Sequence, residues 1–365
     1  MNFKISSMTV ALVTALVTVL SAQAPRVARR PVRARAIAAE PVGLTPEMRI
    51  VSGHITANSL RGHVSFLASD ALEGRDTPSR GLDIAGQYIA SQFRRLGLEP
   101  AGDDEFFQSV TLKAEDASST KSRNVAGILR GSDPQLKDTY VMLSAHYDHV
   151  GPAQTGEDRI FNGANDDASG TASVLEVANA LAALHPRPKR SVLFILFCGE
   201  EKGLLGSIYY AQHPLVPLDK TVADLNLEQL GRTDAPEGPH IKTANVTGFD
   251  FSDMTPILVD AGKRAGIAVS KDATASDKYF NLSDNEPIAK AGVPAHTLSV
   301  TYEFPDYHAV GDEWQKLDYD NMAKVDQAVG IAMLRLAQAL SVPHWNAAYP
   351  AAKPYVDAAK KLHEQ

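Results

Sequence analysis

The fold of this chain is decided by the stretch SVLFILFCGEE, which covers residues 191–201. An uninterrupted apolar run of this length, followed by the turn-forming Gly199, predicts a strand buried on both faces of a parallel sheet. Open α/β sheets bind their ligands at the carboxyl ends of such strands, where Glu200 and Glu201 lie. Neighbouring side chains on a strand or tight turn point in different directions, so one carboxylate can bind a metal while the other stays unligated as a base. The alternative is a solvated pair of glutamates that opens the next helix.

The composition is that of an ordinary globular protein with a sizeable core, since 44% of the 365 residues are hydrophobic and 22% are charged. This length exceeds that of a typical single domain, but α/β domains often reach about 250 residues or more. The formal net charge of −7 argues against nucleic acid as a partner.

The first 24 residues have the features of a signal peptide. Lys4 supplies positive charge, residues 8–20 are apolar or small, and Ala22-Gln23-Ala24 fits a cleavage site. The apolar stretch is short for a membrane span, but Pro25 is unfavourable directly after the cut, and an uncleaved anchor is the alternative. We therefore expect export to the periplasm or the medium, with no stable membrane association after cleavage.

Residues 25–44 are rich in Arg, Pro and Ala, which predicts a flexible basic linker. The single cysteine, Cys198, excludes an internal disulfide. It lies inside the apolar strand, so we expect it to be a buried core residue and not a nucleophile.

Predicted strands alternate with predicted helices over most of the chain. The periodicity predicts helices over residues 59–72, 82–96, 169–184, 254–265 and 319–340, and strands over residues 122–129, 139–144, 192–197, 222–227 and 295–300. This βαβ rhythm predicts an α/β fold with a mostly parallel central sheet and helices on both faces. We expect one catalytic domain over residues 45–345, followed by a loosely attached tail over residues 346–365.

Each predicted strand end carries side chains that can bind a metal. They are His146, Asp148 and His149, then Asp166 and Asp167, then Glu200 and Glu201, then Glu228, and finally Asp306, His308 and Asp312. A lone histidine is more often an ordinary core or surface residue, but here carboxylates and imidazoles recur at one edge of the predicted sheet. Imidazole and carboxylate suit zinc, and a carboxylate can bridge two zinc ions about 3.5–4 Å apart. Asp148 can fix the second ring nitrogen of His146.

These motifs, in their order and spacing, resemble peptidase family M28, the co-catalytic zinc aminopeptidases. The motifs are HYDH at 146–149, GANDDASG at 163–170, GEE at 199–201, NLE at 226–228 and YH at 307–308, preceded by LEGR at 72–75 and RRLGLEPAG at 94–102. The resemblance spans roughly residues 60–340. It implies the phosphorylase/hydrolase-like fold of zinc-dependent exopeptidases and two Zn²⁺ per chain.

The resemblance also implies a role for each site residue. His146 and Glu228 would bind the first zinc, Glu201 and His308 the second, and Asp166 would bridge both. Glu200 would be the general base, Asp148 would orient His146, and the Asp166–Asp167 peptide bond would be cis.

The chain departs from the family pattern at two positions, since Glu228 stands where many relatives carry Asp, and Asn285 stands where many carry His. The expected oxyanion-stabilising tyrosine is Tyr279, Tyr302 or Tyr307, and the sequence does not choose among them. The protease-associated domain that is inserted in some relatives is absent from this sequence, which predicts an open cleft for short peptides.

The resemblance therefore implies hydrolysis of N-terminal peptide bonds, on peptides with a free N-terminus, by a zinc-activated water and a glutamate base. A glutaminyl-peptide cyclase or a carboxypeptidase of the same fold is the alternative. A receptor-like ectodomain without catalysis is disfavoured, because all five ligands and Glu200 are present.

Overall fold

The computed structural model describes residues 43–113 and 119–364. The expected signal peptide, residues 1–24, and nearly all of the expected linker, residues 25–44, lie outside this range. None of the helices within the described residues has the length and hydropathy needed to cross a membrane.

Helices and strands alternate through the described chain. The helices are α1 (Pro46–His54), α2 (Ala57–Leu67), α3 (Arg80–Arg95), α4 (Ser169–Ala182), α5 (Leu205–Gln212), α6 (Thr255–Ala265), α7 (Asn285–Lys290), α8 (Tyr319–Gln338) and α9 (Lys353–His363). The strands are β1 (Glu99–Pro100), β2 (Phe107–Lys113), β3 (Ser119–Leu129), β4 (Tyr140–His146), β5 (Ser191–Phe197), β6 (Thr221–Leu227), β7 (Asp234–Ala235), β8 (Gly238–Pro239), β9 (Thr243–Val246), β10 (Ala268–Ser270) and β11 (Ala295–Ser299).

The central sheet has the strand order β1-β3-β5-β4-β6-β11-β9-β10, with β2 paired to β3, and β7 and β8 form a separate hairpin. Its four middle strands, β5, β4, β6 and β11, run parallel. Towards one edge, β3 runs antiparallel to β5, and towards the other, β9 runs antiparallel to β11. The α/β fold expected from the sequence is confirmed, and its parallel part is the middle of the sheet.

The apolar run that predicted a buried strand is β5, and all seven of its residues are buried. Its side chains alternate between two separate cores. Val192, Phe194 and Leu196 pack on one side with helices that include α3, α4 and α8. Leu193, Ile195 and Phe197 pack on the other side with residues of α5, α7 and α9. A strand with helices on both faces needs apolar side chains in both directions, which explains the absence of polar alternation in its sequence.

The end of the chain is attached more firmly than the sequence predicted. Tyr355 in α9 is buried, and its ring lies 5.0 Å from that of Trp345 and 5.1 Å from that of Phe280. The Tyr355 hydroxyl also donates to Asn281 Oδ1 at 2.9 Å. The amphipathic character of α9 gives it an apolar face that contacts α7 and the aromatic residues beneath it.

Candidate metal centre

The register of the parallel strands places their carboxyl ends together. His146, the last residue of β4, pairs with Phe197, the last residue of β5. On the other side of β4, Ser144 pairs with Asn226 of β6. The residues that follow these three strands therefore meet at one edge of the sheet, as the sequence predicted for Glu200, Glu201 and Glu228.

The loop before α4 brings Asp166 to the same edge. The Asp166–Asp167 peptide bond is cis, as the resemblance implied. The Asp167 Oδ1 atom accepts the backbone N–H groups of Gly170 at 2.9 Å and Gln229 at 3.2 Å. Asp167 therefore faces the start of α4 and the segment after β6, while Asp166 faces the cluster.

Two groups of side chains in the described residues can each hold a metal ion, and they share Asp166. The first consists of His146, Asp166 and Glu228, and the second consists of His149, Asp166, Glu201 and His308. The five ligands expected from the sequence are thus brought together, divided as the resemblance implied. His149 is an addition that the sequence placed in a metal-capable motif without giving it a role.

The distances between donor atoms fit metal ligation. The Nε2 atom of His146 lies 3.3 Å from Asp166 Oδ1. The Nε2 atom of His308 lies 3.1 Å from Asp166 Oδ2 and 3.1 Å from Glu201 Oε2. Zinc–ligand bonds of about 2.0–2.2 Å place neighbouring donors of a tetrahedral site roughly 3.3 Å apart. The His146 Nε2 atom is also buried and has no hydrogen-bond partner within the described chain, which is the state expected of a nitrogen that serves as a metal ligand.

Asp148 contacts both His146, at the end of β4, and the turn that follows β5. The His146 Nδ1 atom is 3.2 Å from the backbone oxygen of Asp148 and 3.6 Å from its Oδ1. The same carboxylate accepts from Thr77 Oγ1 at 3.0 Å and from the backbone N–H of Glu200 at 3.2 Å. The backbone oxygen of Asp148 is the nearer acceptor for the imidazole, and its carboxylate fixes the turn that carries Glu200.

Glu200 belongs to neither metal group, although it is adjacent to Glu201 in sequence. Burial raises the pKa of its carboxyl group well above the usual value, and the charges of Glu228, Asp284 and Glu201 add to the effect. A carboxylate close to a metal group but outside it, with a raised pKa, has the properties of a general base.

Neighbouring side chains of the cluster shift one another's pKa values. Burial works to raise the pKa of Asp166, but the nearby imidazoles of His146 and His308 hold it well below its usual range. The pKa of His308 is raised to about 10 by its bonds to Asp166 and Glu201. For His146, burial lowers the pKa, but Glu200, Asp148 and Asp166 together raise it well above normal. The carboxylates therefore favour the protonated form of these imidazoles, whereas metal ligation requires the neutral form.

A buried arginine holds the loops of the site in place. Arg75, which is 1% exposed, donates to the backbone oxygens of Tyr147 at 3.0 Å and Asn162 at 2.7 Å. It also donates to the backbone oxygen of Gly163 at 2.9 Å and to that of Leu67. The guanidinium thus connects the loop after β4 to the loop that carries Asp166. The sequence had identified LEGR only as part of a family pattern, because nothing in it indicates which carbonyls Arg75 would meet.

The three candidate tyrosines line one small cavity next to Glu228. This cavity, of about 80 Å³, is bordered by Glu228, Gln229, Thr247, Tyr279, Leu282, Ser283, Thr297, Ser299, Tyr302 and Tyr307. The Tyr279 ring stacks on Tyr302, and its hydroxyl donates to Glu303 at 2.6 Å. The Tyr307 ring stacks on the His308 imidazole with centroids 4.1 Å apart.

Electrostatics separates the tyrosines further. Burial raises the pKa of Tyr307, and the charges of Asp166, Glu228, Glu201 and Glu200 raise it more. Burial also raises the pKa of Tyr302, and the charges of Asp272 and Glu228 raise it further. Glu228 is the only one of these two carboxylates that belongs to the site. Of the three tyrosines, Tyr307 is therefore the one whose pKa is raised by all four of the site carboxylates, and its ring stacks on His308.

Asn285, where this chain departs from the family pattern, is hydrogen-bonded to residues outside the metal groups. Its Nδ2 donates to the backbone oxygen of Phe280 at 3.1 Å, and its Oδ1 accepts from Thr297 Oγ1 at 2.8 Å. Both ends of this buried amide are therefore engaged away from the metal groups.

A buried cluster of imidazoles and carboxylates at the carboxyl edge of an α/β sheet, with an unligated glutamate beside it, defines a metal-dependent hydrolase. The chain belongs to peptidase family M28, whose model matches residues 124–333. This confirms the zinc metallopeptidase class that the sequence predicted.

Individual relatives agree with this class. A probable zinc metalloprotease of Pyrenophora teres f. teres is 31% identical over 348 residues, which cover 81% of this chain and 70% of the relative. The LapA aminopeptidase of Legionella pneumophila superimposes with a TM-score of 0.62 at 20% identity, over 81% of this chain and 75% of that one. A glutaminyl cyclase of Bacteroides thetaiotaomicron superimposes with a TM-score of 0.60 at 19% identity, over 77% and 98%. The fold therefore does not by itself separate peptide hydrolysis from cyclisation.

Proposed function

We propose that this enzyme is an aminopeptidase that holds two zinc ions per chain and removes residues from peptides with a free N-terminus. The observation that carries the proposal is the pair of donor groups that share Asp166, with Glu200 next to them and outside both. His146, Asp166 and Glu228 would hold one ion, and Asp166, Glu201 and His308 would hold the other.

When bound, a zinc pair supplies an acidified water and a positive charge at the scissile carbonyl. Glu200 takes the proton of the attacking water and returns it to the leaving amine. Because the pKa of the Glu200 carboxyl group is raised, this group is suited both to accept a proton from water and to release it to the amine. Asp148 holds the backbone N–H of Glu200 at 3.2 Å, which fixes the turn that presents this base.

The substrate's free amine would lie near Glu228, the carboxylate that borders the small cavity. The N-terminal side chain would then enter this cavity, between Tyr302 and Tyr307. Tyr307 would donate its hydroxyl proton to the developing oxyanion, because it is the tyrosine whose pKa is raised by all four of the site carboxylates.

The test compares aminoacyl amides and short peptides that carry either a free or an acetylated N-terminus. We expect cleavage of the free-amine substrates only, and loss of that cleavage when a chelator is added. Cleavage of N-acetylated peptides from the carboxyl end would instead indicate a carboxypeptidase. Ring closure of N-terminal Gln peptides, with one zinc per chain, would indicate a glutaminyl cyclase.

The substitution Glu200→Gln tests the general base. It should lower kcat by at least about 10²-fold and leave the zinc content unchanged. Glu157→Gln, at an exposed loop position, is the matched control and should behave as wild type. Turnover of Glu200→Gln close to that of wild type would refute the assignment.

Export belongs to the same proposal. The signal-like residues 1–24 would direct the enzyme to the periplasm or the medium, where peptides with free N-termini are its substrates. Sequencing the N-terminus of the mature protein from its native host tests this, and an intact Met1 in a cytoplasmic fraction would contradict it.

A further inference from the structure

His149 lies against Glu201 and has no role in the function proposed above. Its side chain is fully buried. Its Nδ1 atom lies 2.8 Å from Glu201 Oε1, and its backbone N–H donates to the backbone oxygen of Arg75 at 3.3 Å.

The two oxygens of Glu201 have different partners. Oε1 is bonded to His149, whereas Oε2 lies 3.1 Å from His308 Nε2. The same His308 atom lies 3.1 Å from Asp166 Oδ2, but His149 Nδ1 lies 3.9 Å from that oxygen. His149 and His308 therefore contact different oxygens of Glu201.

The imidazole of His149 is held in this orientation by the loop before α4. Gly163 has a φ of +58°, and a Cβ atom at this position would lie 2.5 Å from His149 Cγ and 2.6 Å from its Cδ2. Only a glycine leaves room for the ring, and the ring in turn fills that space. A close-packed ring of this kind has little freedom to turn its nitrogen away from Glu201.

These contacts favour a hydrogen bond over direct metal ligation. A distance of 2.8 Å is that of a charge-assisted N–H···O bond. Neighbouring ligands of a tetrahedral zinc site lie roughly 3.3 Å apart, and His149 Nδ1 is closer than this to one donor and farther from the other. With the ring proton on Nδ1, the His149 Nε2 atom, which has no partner within the described chain, carries only an unpaired acceptor.

We propose that His149 is a positioning residue that donates its Nδ1 proton to Oε1 of Glu201. This bond would fix the carboxylate so that Oε2, together with His308 and Asp166, could hold the second metal ion. The inference rests on the metal pair of the proposed function. Partners of this kind, which orient a ligand from behind, affect metal affinity by about 10–100-fold.

Two substitutions separate a donor from a ligand. In His149→Asn the side-chain amide offers an N–H donor near the position of Nδ1 but no imidazole nitrogen for a metal, while His149→Ala offers neither. The zinc affinity of each metal-free protein is measured by competition with a chromophoric chelator, and the zinc content by elemental analysis. His54→Ala, at an exposed position, is the matched control.

We expect His149→Ala to lower the affinity for one of the two ions by about 10–100-fold, and His149→Asn to restore most of the loss. Equal weakening in both variants would make His149 a direct ligand and overturn the proposal. Unchanged affinity in His149→Ala would overturn it as well. If His149→Ala does not fold in a thermal unfolding assay, the affinity of His149→Asn decides alone, since the proposal requires it to stay close to wild type.

These measurements need no substrate, so the outcome is distinct from that for the proposed function. A wild-type protein that binds two ions but cleaves no N-terminal peptide bond would refute the aminopeptidase and leave the role of His149 intact. If the wild-type protein is an active aminopeptidase but His149→Ala binds zinc normally, the aminopeptidase stands and the role of His149 is refuted.

Discussion

Asp312 accepts the backbone N–H of Asp166 at 3.1 Å, although the two residues are far apart in sequence. The same carboxylate accepts the N–H of Asn165 at 2.9 Å and 3.0 Å. Asn165 Oδ1 in turn accepts the backbone N–H groups of Gly231 and Arg232, each at 2.8 Å. The loop that carries the shared ligand is therefore held by hydrogen bonds from two distant parts of the chain.

The substitution Asp312→Asn should weaken metal binding without removing a ligand. The amide keeps the size of the side chain but has one acceptor oxygen in place of two, and it places an N–H group next to buried donors. We expect zinc affinity to fall by about 10-fold or more and the free energy of unfolding to fall by about 1.5–3 kcal/mol. Chelator competition and denaturant unfolding measure these effects. Wild-type values for both would show that the hydrogen bonds do not matter, and Asp158→Asn, at an exposed position, serves as the control.

Replacement of Arg75 should affect both stability and the metal site. Arg75→Met leaves the buried backbone oxygens of Tyr147, Asn162 and Gly163 without their donor, and Arg75→Lys can reach only some of them. We expect the free energy of unfolding to fall by about 3 kcal/mol or more in Arg75→Met, because each buried oxygen left without a donor costs about 1–3 kcal/mol, and by less in Arg75→Lys. Urea unfolding of the wild-type protein, Arg75→Lys and Arg75→Met measures their order of stability. An Arg75→Met variant as stable as wild type would contradict this interpretation of the loops.

Zinc binding should release protons at neutral pH. In the metal-free protein the pKa of His308 is raised to about 10 by Asp166 and Glu201, and that of His146 is raised despite burial, with Glu200 the largest contributor. Because the raised pKa values favour protonated imidazoles, and each imidazole must be neutral to bind a metal, affinity should fall as pH falls. We expect a change of about tenfold per pH unit for each proton released. Calorimetry in buffers of different ionisation enthalpy counts these protons, and a count of zero would contradict the prediction.

The tyrosines should differ in their effect on turnover. Tyr307→Phe removes the hydroxyl whose pKa is raised by all four of the site carboxylates, so kcat should fall by about 10²-fold, the lower end for the loss of one oxyanion donor. Tyr279→Phe removes a hydroxyl whose partner is Glu303, and its kcat should stay near the wild-type value. Both variants are assayed with the same aminoacyl amide. If kcat fell more in Tyr279→Phe than in Tyr307→Phe, the oxyanion-stabilising residue would be Tyr279.

The middle of the fold was predictable because its patterns are local. The unbroken apolar run of β5 and the helical spacing of α3, α4 and α8 each indicate their own structure. The strand over residues 122–129 was predicted, but its antiparallel direction as β3 was not. The strands β2, β9 and β10 and the short helices α5 and α7 were not predicted. Strand direction at an edge depends on which segment of the chain returns there, and a helix of six residues carries too little periodicity to be detected.

Most residues of the metal groups were recognisable as metal-capable because they follow strands that the pattern identifies, and their assignment to two ions came from the family resemblance. The supporting residues were not. Arg75 acts on backbone oxygens, and Asp312 acts on backbone N–H groups, so neither interaction has a partner side chain that a sequence pattern could indicate. His149 was recognised in the sequence as metal-capable, but its orientation depends on the left-handed conformation of Gly163, which only the folded loop defines.

The pairing of His146 with Phe197 gives the loops of this enzyme unequal freedom to change during evolution. One residue inserted within residues 198–201, after the end of β5, would displace Glu200 and Glu201 from the turn that Asp148 holds. By contrast, residues 154–159 are exposed and can be lengthened without moving any donor atom. Descendants of this chain can therefore vary the loop at 154–159 while the ligand-bearing loops keep their length.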